Sequence, residues 1–248
     1  MKRILQLLVI SLLFSCTRQE EGKDFSPQLI AHAGGAIDSC MYTNSREAME
    51  RAFEKGYRFI EFDLIFTADS VLVAAHSWDD FNTMTGCREF GDSAPVYADF
   101  VSRKIHDRYA PLSAAEINAF FERNDSLYLV TDKVSDPDVL LRYFPNLKER
   151  MVVEAFSFQH YCRLKSQGYF RVLYSCMASD LNATIFSSSL KEIEWLALHT
   201  SGFDSMVFRL IKGVGDFDIA LFTVDDFSVV PEEYRAAVKM VYTNFLEP

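Results

Sequence analysis

The sequence contains few cysteines, and they are not spaced as metal ligands. The chain has 248 residues and five cysteines, without a Cys-x-x-Cys pair, which excludes the common thiolate metal sites. Four of them follow residue 16: Cys40, Cys87, Cys162 and Cys176. In an exported protein these could pair, and Cys40 and Cys87 flank the candidate site described below. Buried free thiols account for them equally well.

Positive charge is also scarce. Lys and Arg number 25 against 35 Asp and Glu, so the formal net charge is −10 at pH 7. An acidic chain is a poor candidate for wrapping nucleic acid, because the phosphate backbone repels it. The composition, 49% hydrophobic and 24% charged, is that of an ordinary globular protein and excludes global disorder.

The sequence lacks a hydrophobic run long enough to span a bilayer. The apolar run at residues 4–14 is too short for that, and it follows Lys2 and Arg3, a signal-peptide pattern. The next residues, Leu13-Phe14-Ser15-Cys16, resemble a bacterial lipobox, in which the cysteine carries the lipid. We therefore expect a signal peptide at residues 1–15 and a polar tether at residues 16–26. The alternative is an ordinary secretory signal with an incidental cysteine.

A lipid on Cys16 would hold the protein at a membrane of the bacterial cell envelope, on the periplasmic or the surface side. Removal of residues 1–15 would take away Lys2 and Arg3 and change the net charge from −10 to −12.

The stretch from His32 to His76 carries the candidate chemistry. In residues 59–64, strand alternation places Glu61 and Asp63 on one face and three apolar side chains on the other. Two buried carboxylates at this spacing repel each other unless a proton or a cation compensates them. Oxygen ligands favour Mg²⁺ or Ca²⁺ over zinc. The alternative is an edge strand whose charges face water.

Five short motifs follow one another in this stretch: His32-Ala33-Gly34, Thr43-Asn44-Ser45, Glu61-Phe62-Asp63, Thr67-Ala68-Asp69 and His76. Together they resemble the glycerophosphodiester phosphodiesterase family, which is related to the phosphoinositide-specific phospholipase C barrels. The family pattern is His-Arg-Gly, Glu-Asn-Thr, Glu-x-Asp, Thr-x-Asp-Gly and a second His. The segments at 220–226 and 238–248 are similar to the closing family motifs, so the resemblance covers about residues 27–248.

Strand-like and helical segments alternate along residues 27–248. We predict strands at residues 28–33, 57–66, 127–133, 151–157, 170–176, 205–208, 219–224 and 239–243. Helical spacers are predicted near residues 136–144, 158–168, 190–200 and 231–238. Eight such units predict an α/β fold, a (β/α)₈ TIM barrel. Residues 71–76 follow the second strand too closely for a parallel partner and predict a hairpin. Residues 77–110 form a small insertion after the second strand.

The resemblance implies roles for individual residues. His32 and His76 would be the acid–base pair, and Glu61 and Asp63 would bind the metal. Lys133 would lie near a phosphate oxygen, Gly34 would let backbone amides approach the substrate, and Trp78 would either cover the substrate or pack the insertion.

Several positions depart from the family pattern. The family arginine is Ala33, the glutamate of Glu-Asn-Thr is Thr43, and Ser77 replaces the aspartate after the second histidine. The third metal carboxylate is expected at Thr131. Asp132 is adjacent, but we expect it to face the other way unless a bulge re-aims it; Glu154 is the other candidate.

The sequence thus predicts a metal-dependent phosphodiester hydrolase that acts on a small-molecule or polymer phosphodiester, not on nucleic acid. Two alternatives stay open: a non-catalytic binding lipoprotein on the same barrel, and a lyase that stops at a cyclic phosphate. The oligomeric state is left open.

Overall fold

The computed structural model describes residues 25–175, 192–202, 213 and 216–248. The predicted signal peptide and Cys16 lie outside the described residues, as do most of the tether, Cys176 and the strand predicted at 205–208. In the described part of the chain, no helix is both long and apolar enough to cross a membrane.

Parallel strands form a closed barrel. The strands are β1 Gln28–Ala31, β2 Phe59–Phe66, β3 Leu72–Ala74, β4 Tyr128–Asp132, β5 Met151–Ala155, β6 Arg171–Ser175, β7 Trp195–His199, β8 Asp218–Phe222 and β9 Val238–Thr243. The order around the sheet is β1-β9-β8-β7-β6-β5-β4-β2, with β3 attached to β2. Strand β1 pairs in parallel with both β2 and β9, and these pairings join the two ends of the sheet. The predicted (β/α)₈ barrel is confirmed.

Helices separate most of the strands. They are α1 Arg46–Glu54, α2 Trp78–Met84, α3 Tyr97–Ser102, α4 Ala114–Arg123, α5 Pro137–Tyr143, α6 Phe158–Ser166 and α7 Glu232–Arg235. Ser45 caps α1 by accepting a hydrogen bond from the Ala48 N–H. Ser113 and Glu116 form a capping box at the start of α4.

Strand alternation creates two apolar layers. The layer inside the barrel takes a buried residue from each of the eight parallel strands: Ile30, Phe59, Val130, Val152, Leu173, Ala197, Ala220 and Met240. The layer between the strands and the helices includes Ile60, Phe62 and Leu64 of β2. Glu61 and Asp63, which alternate with those three, therefore share the inner face with Phe59. This arrangement turns them toward the carboxyl-end mouth of the barrel.

The predicted hairpin is present. Strand β3 pairs antiparallel with β2, with Leu64 opposite Ala74. Thr67 closes the turn by donating to Asp69 Oδ1 at 2.7 Å and by accepting from the Val71 N–H at 3.0 Å. Asp69 also accepts from the Tyr97 N–H at 2.8 Å, which docks the insertion on the hairpin.

The insertion between β3 and α4 carries α2, α3 and its own small core. The rings of Phe81 and Phe100 stack with centroids 4.7 Å apart, and both side chains are buried. Trp78 packs edge-on against both, at 6.0 and 6.2 Å. Of the two roles expected for Trp78, the structure shows the packing of the insertion.

One secondary-structure prediction is wrong. The helix predicted at residues 190–200 is replaced by strand β7, Trp195–His199, which lies between β6 and β8. Both faces of a parallel strand are covered, so Leu196 and Ala197 are buried in different layers. Short apolar runs of this kind occur in buried helices as well as in buried strands, so the sequence pattern alone does not distinguish the two.

The cysteines that the structure describes are not paired. Cys40, Cys87 and Cys162 are free thiols, so the bridge considered between Cys40 and Cys87 is not formed.

Candidate active site

Three carboxylates meet at the carboxyl ends of two neighbouring strands. Oxygen atoms of Glu61 and Asp63, on β2, and of Asp132, at the end of β4, all lie within 4.8 Å of one another. Glu61 and Asp63 are only 1% and 2% exposed. The three carboxylates predicted as metal ligands are therefore brought together.

Asp132 reaches this cluster without a bulge, so the expectation that it faces away was wrong. It lies opposite Asp63 in the regular β2–β4 register, and it shares the inner face with Val130. Lys133 is the residue that departs from the strand. Its φ of 65° turns the backbone, and its Nζ returns to within 3.4 Å of Asp63 and 3.8 Å of Asp132. A kink after Asp132 thus places an adjacent acid and lysine on the same side.

Neighbouring groups hold two of the carboxylates in place. The Ala33 N–H donates to Glu61 Oε2 at 2.7 Å. The Asn44 amide donates to Asp63 Oδ2 at 2.9 Å. The other oxygen of Glu61, Oε1, is buried and has no hydrogen-bond partner among the described residues. A buried oxygen that is unsatisfied in this way is costly, and a divalent cation held by the three carboxylates would satisfy it. The residues present therefore fit such an ion.

The pKa shifts of the charged groups also indicate that a cation is needed here. Burial raises the pKa of Glu61 well above its usual range, and the nearby charges of Asp63 and Asp132 add to this. Burial and the charge of Asp63 raise the pKa of Asp132 to about 6. Burial would lower the pKa of Lys133, but the two aspartates outweigh it and the pKa is raised. One ammonium therefore faces three crowded carboxylates, and a second positive charge is needed to keep them all ionised.

His32 follows β1 and is partly buried. Its Nδ1 lies 3.1 Å from the Thr223 hydroxyl at the end of β8. Burial lowers the pKa of His32 to about 4, although Asp63 and Asp225 act in the opposite direction. The ring is therefore neutral near physiological pH.

His76 enters the mouth from the hairpin and is partly exposed. Its Nδ1 lies 2.6 Å from Asp80 Oδ2, one turn into α2, and the Ser77 hydroxyl donates to the same oxygen at 2.6 Å. Burial would raise the pKa of Asp80, but the hydrogen bonds from His76 and Ser77 lower it. We did not predict Asp80. The signal was present as His-x-x-x-Asp across a helix start, and Asp80 supplies the carboxylate that Ser77 lacks.

The ring of one tyrosine contacts both histidines. The ring centroid of Tyr42 is 4.8 Å from that of His32 and 5.2 Å from that of His76. One aromatic ring therefore contacts both imidazoles. Tyr42 was also missed by the sequence analysis, because it belongs to none of the motifs.

Two other predicted residues lie close to this constellation. Gly34 has a φ of 85°, and a Cβ there would lie 3.1 Å from Ala48 Cβ, so a glycine is needed for α1 to approach. Glu154, the alternative third ligand, is outside the metal cluster and accepts from the Tyr242 hydroxyl at 2.6 Å. Burial raises its pKa to about 8, with a contribution from Asp132.

The sequence matches one family model over a range that contains most of the residues of this site. Residues 33–196 match the glycerophosphoryl diester phosphodiesterase family. The chain belongs to this family. It is therefore a phosphodiesterase, and its carboxylate cluster and His76 lie inside the matched region. No curated protein matches the sequence.

Solved structures with the same fold span nearly the whole chain. A glycerophosphodiester phosphodiesterase from Parabacteroides distasonis has a TM-score of 0.65 at 20% identity, covering 88% of this chain and 92% of that one. One from Thermotoga maritima has a TM-score of 0.60 at 15% identity, with coverages of 88% and 95%. A phosphodiesterase from Oleispira antarctica, solved with the product sn-glycerol-3-phosphate, has a TM-score of 0.63 at 17% identity, with coverages of 89% and 94%. At these identities the likeness concerns the fold.

Proposed function

We propose that this chain hydrolyses a phosphodiester with a divalent metal, Mg²⁺ or Ca²⁺, held by Glu61, Asp63 and Asp132. The observation that carries the proposal is the unsatisfied buried oxygen of Glu61 inside a cluster of three carboxylates. A hard divalent ion prefers oxygen ligands of this kind. When bound, it would polarise the phosphoryl group and offset the charge that develops on it.

His32 acts as the general base. The ring is neutral because burial lowers its pKa to about 4. With its Nδ1–H donating to the Thr223 hydroxyl, Nε2 is left unprotonated and accepts the proton of the attacking oxygen.

His76 acts as the general acid. Its Nδ1 is engaged by the Asp80 carboxylate, which orients the ring and leaves Nε2 available to the substrate. Nε2 then delivers a proton to the leaving alkoxide as the bond from phosphorus to that oxygen breaks. Lys133 adds a positive charge near the phosphate, beside Asp63.

Glycerophosphodiesters are the first substrates to test, because the Oleispira antarctica relative was solved with sn-glycerol-3-phosphate. Polymer-linked phosphodiesters are the second class. Purified protein should release the alcohol from a substrate of this panel when supplied with Mg²⁺ or Ca²⁺, and chelation or His32→Ala should abolish the release. His106→Ala is the matched control, because His106 is an exposed histidine in the insertion. Turnover that survives both His32→Ala and metal removal would reject the proposal.

Phosphorus NMR of the product separates the remaining outcomes. A phosphomonoester supports a hydrolase, whereas a cyclic phosphate that accumulates identifies a lyase. Tight phosphate binding without turnover on any substrate would identify a non-catalytic binding protein.

We further propose that Cys16 carries a lipid and holds the mature protein at the bacterial cell envelope. The lipobox-like Leu13-Phe14-Ser15-Cys16 after a short apolar run supports this. Metabolic labelling with a fatty acid should mark the wild-type protein, and Cys16→Ser should abolish the label and move the protein to the soluble fraction. Equal labelling of the two would exclude Cys16 as the anchor.

A further inference from the structure

The space between the two imidazoles is bordered by Tyr42. Because Thr223 and Asp80 engage the Nδ1 atoms of His32 and His76, the two Nε2 atoms are the ones available to the substrate. Displacement at phosphorus places the attacking and leaving oxygens roughly in line, so the phosphoryl group lies between the acid and the base. Tyr42 contacts both rings, so it borders the place where a phosphoryl group would bind.

Within the described part of the chain, the Tyr42 hydroxyl has no hydrogen-bond partner. Six described tyrosines donate to acceptors within the chain: Tyr57, Tyr109, Tyr143, Tyr161, Tyr169 and Tyr242. No described residue forms a hydrogen bond with the Tyr42 hydroxyl, and its ring is half-buried beside the two histidines. Tyr42 therefore has a donor available at the mouth of the barrel.

The backbone holds Tyr42 in an unfavourable conformation. Its φ is 57°, and Asp38, Ser39 and Asn44 in the same loop also have positive φ values. Asp38 anchors this loop to the insertion by accepting from the Tyr109 hydroxyl at 2.8 Å. Strained residues of this kind persist where the surrounding structure requires them, most often at functional sites.

The substrate phosphate needs such a donor. Its non-bridging oxygens carry negative charge and would lie beside three carboxylates. Ala33, at the start of the same loop, has no side-chain donor, and its N–H is already bonded to Glu61. Lys133 contributes one positive charge near the phosphate, but it shares that charge with Asp63, 3.4 Å away.

We propose that Tyr42 donates its phenolic hydrogen to a non-bridging oxygen of the substrate phosphate. The phenol thereby provides the contact that Ala33 cannot make. This inference rests on the proposed phosphodiester hydrolysis, which supplies the phosphate between the two histidines. A hydrogen bond to a charged oxygen is stronger than one between neutral groups, so its loss should be measurable.

The test compares Tyr42→Phe with wild type in two assays of the full chain loaded with Mg²⁺ or Ca²⁺. One assay measures kcat/KM on a glycerophosphodiester, and the other measures the Kd of inorganic phosphate by calorimetry. We expect Tyr42→Phe to lower kcat/KM and phosphate affinity about ten- to a hundredfold, with an unchanged melting temperature. Tyr109→Phe, which removes a hydroxyl that anchors the same loop, is the matched control and should change phosphate affinity less than twofold.

The two assays separate this inference from the proposed function. If the wild type turns over and Tyr42→Phe matches it in both assays, the phenol contact is refuted and the hydrolase proposal stands. If phosphate binding depends on the hydroxyl but no substrate is cleaved, the contact is supported and the hydrolase proposal fails. A wild type that neither cleaves nor binds phosphate overturns both.

Discussion

Asn44 binds Asp63 at two points. Its Nδ2 donates to Asp63 Oδ2 at 2.9 Å, and its Oδ1 accepts from the Asp63 N–H at 3.1 Å. Both residues are buried, so the carboxylate is fixed in position before any ion arrives. A loop residue between β1 and α1 thus orients a proposed metal ligand on β2.

Asn44→Ala should lower the affinity for Mg²⁺ or Ca²⁺ about ten- to a hundredfold, because partners that orient a ligand contribute to binding on that scale. Calorimetric titration of the metal-free protein measures this affinity. Asn146→Ala is the control, since Asn146 makes an exposed hydrogen bond to Glu122. Equal metal affinity in Asn44→Ala and wild type would show that the contact serves folding alone.

Glu61→Gln should stabilise the metal-free protein and abolish its stabilisation by metal. Burial and the charges of Asp63 and Asp132 make an ionised Glu61 costly without a cation, and glutamine removes that charge. Melting temperatures with chelator and with excess Mg²⁺ or Ca²⁺ measure both effects. Glu122→Gln, an exposed site, should behave as wild type. A metal-induced shift that persists in Glu61→Gln would show that Glu61 is not a ligand.

Glu154 should make the stability of the metal-free protein depend on pH. Its pKa is raised from 4.5 to about 8, chiefly by burial, so the folded state keeps a proton that the unfolded state releases. The contribution of Glu154 is therefore fully present below about pH 4.5 and is lost as the pH rises toward 8. The difference in free energy of unfolding between wild type and Glu154→Gln, from urea titrations at several pH values, should shift in favour of the variant over this range. A constant difference would contradict the raised pKa.

Asp80→Asn should lower kcat about ten- to a hundredfold with little change in KM, because the amide leaves His76 without its negatively charged partner. Asp79→Asn is a matched control in the same helical turn. Steady-state kinetics of both variants, on a phosphodiester that the wild type cleaves, measures the difference. Equal losses in the two variants would point to the helix and not to the histidine.

Gly34→Ala should destabilise the protein by about 2–4 kcal/mol. The variant combines a left-handed backbone with a Cβ 3.1 Å from Ala48 Cβ. Gly86→Ala has a similar φ of 75° but no atom within 4 Å, so it measures the backbone cost alone, about 1–2 kcal/mol. Equal losses in urea denaturation would show that α1 moves away at no cost.

Local patterns in the sequence were enough for much of the fold. Alternation in residues 59–64 correctly placed Glu61 and Asp63 on one face, and the short gap before residue 71 correctly required the β2–β3 hairpin. Both follow from the geometry of a few adjacent residues, which the sequence states directly. Strand β7 was not predicted, because its apolar run is compatible with a buried helix as well as with a buried strand.

The residues of the candidate site were likewise predicted only in part. The sequence by itself determined the family, the paired carboxylates and the two histidines, since these are carried by residue types at short spacings. Only the tertiary structure decided that Asp132 faces inward, that Lys133 returns to the same side, and that Asp80 and Tyr42 contact the histidines. Those outcomes depend on which strands and loops become neighbours when the barrel closes, and contacts between distant segments leave no local pattern.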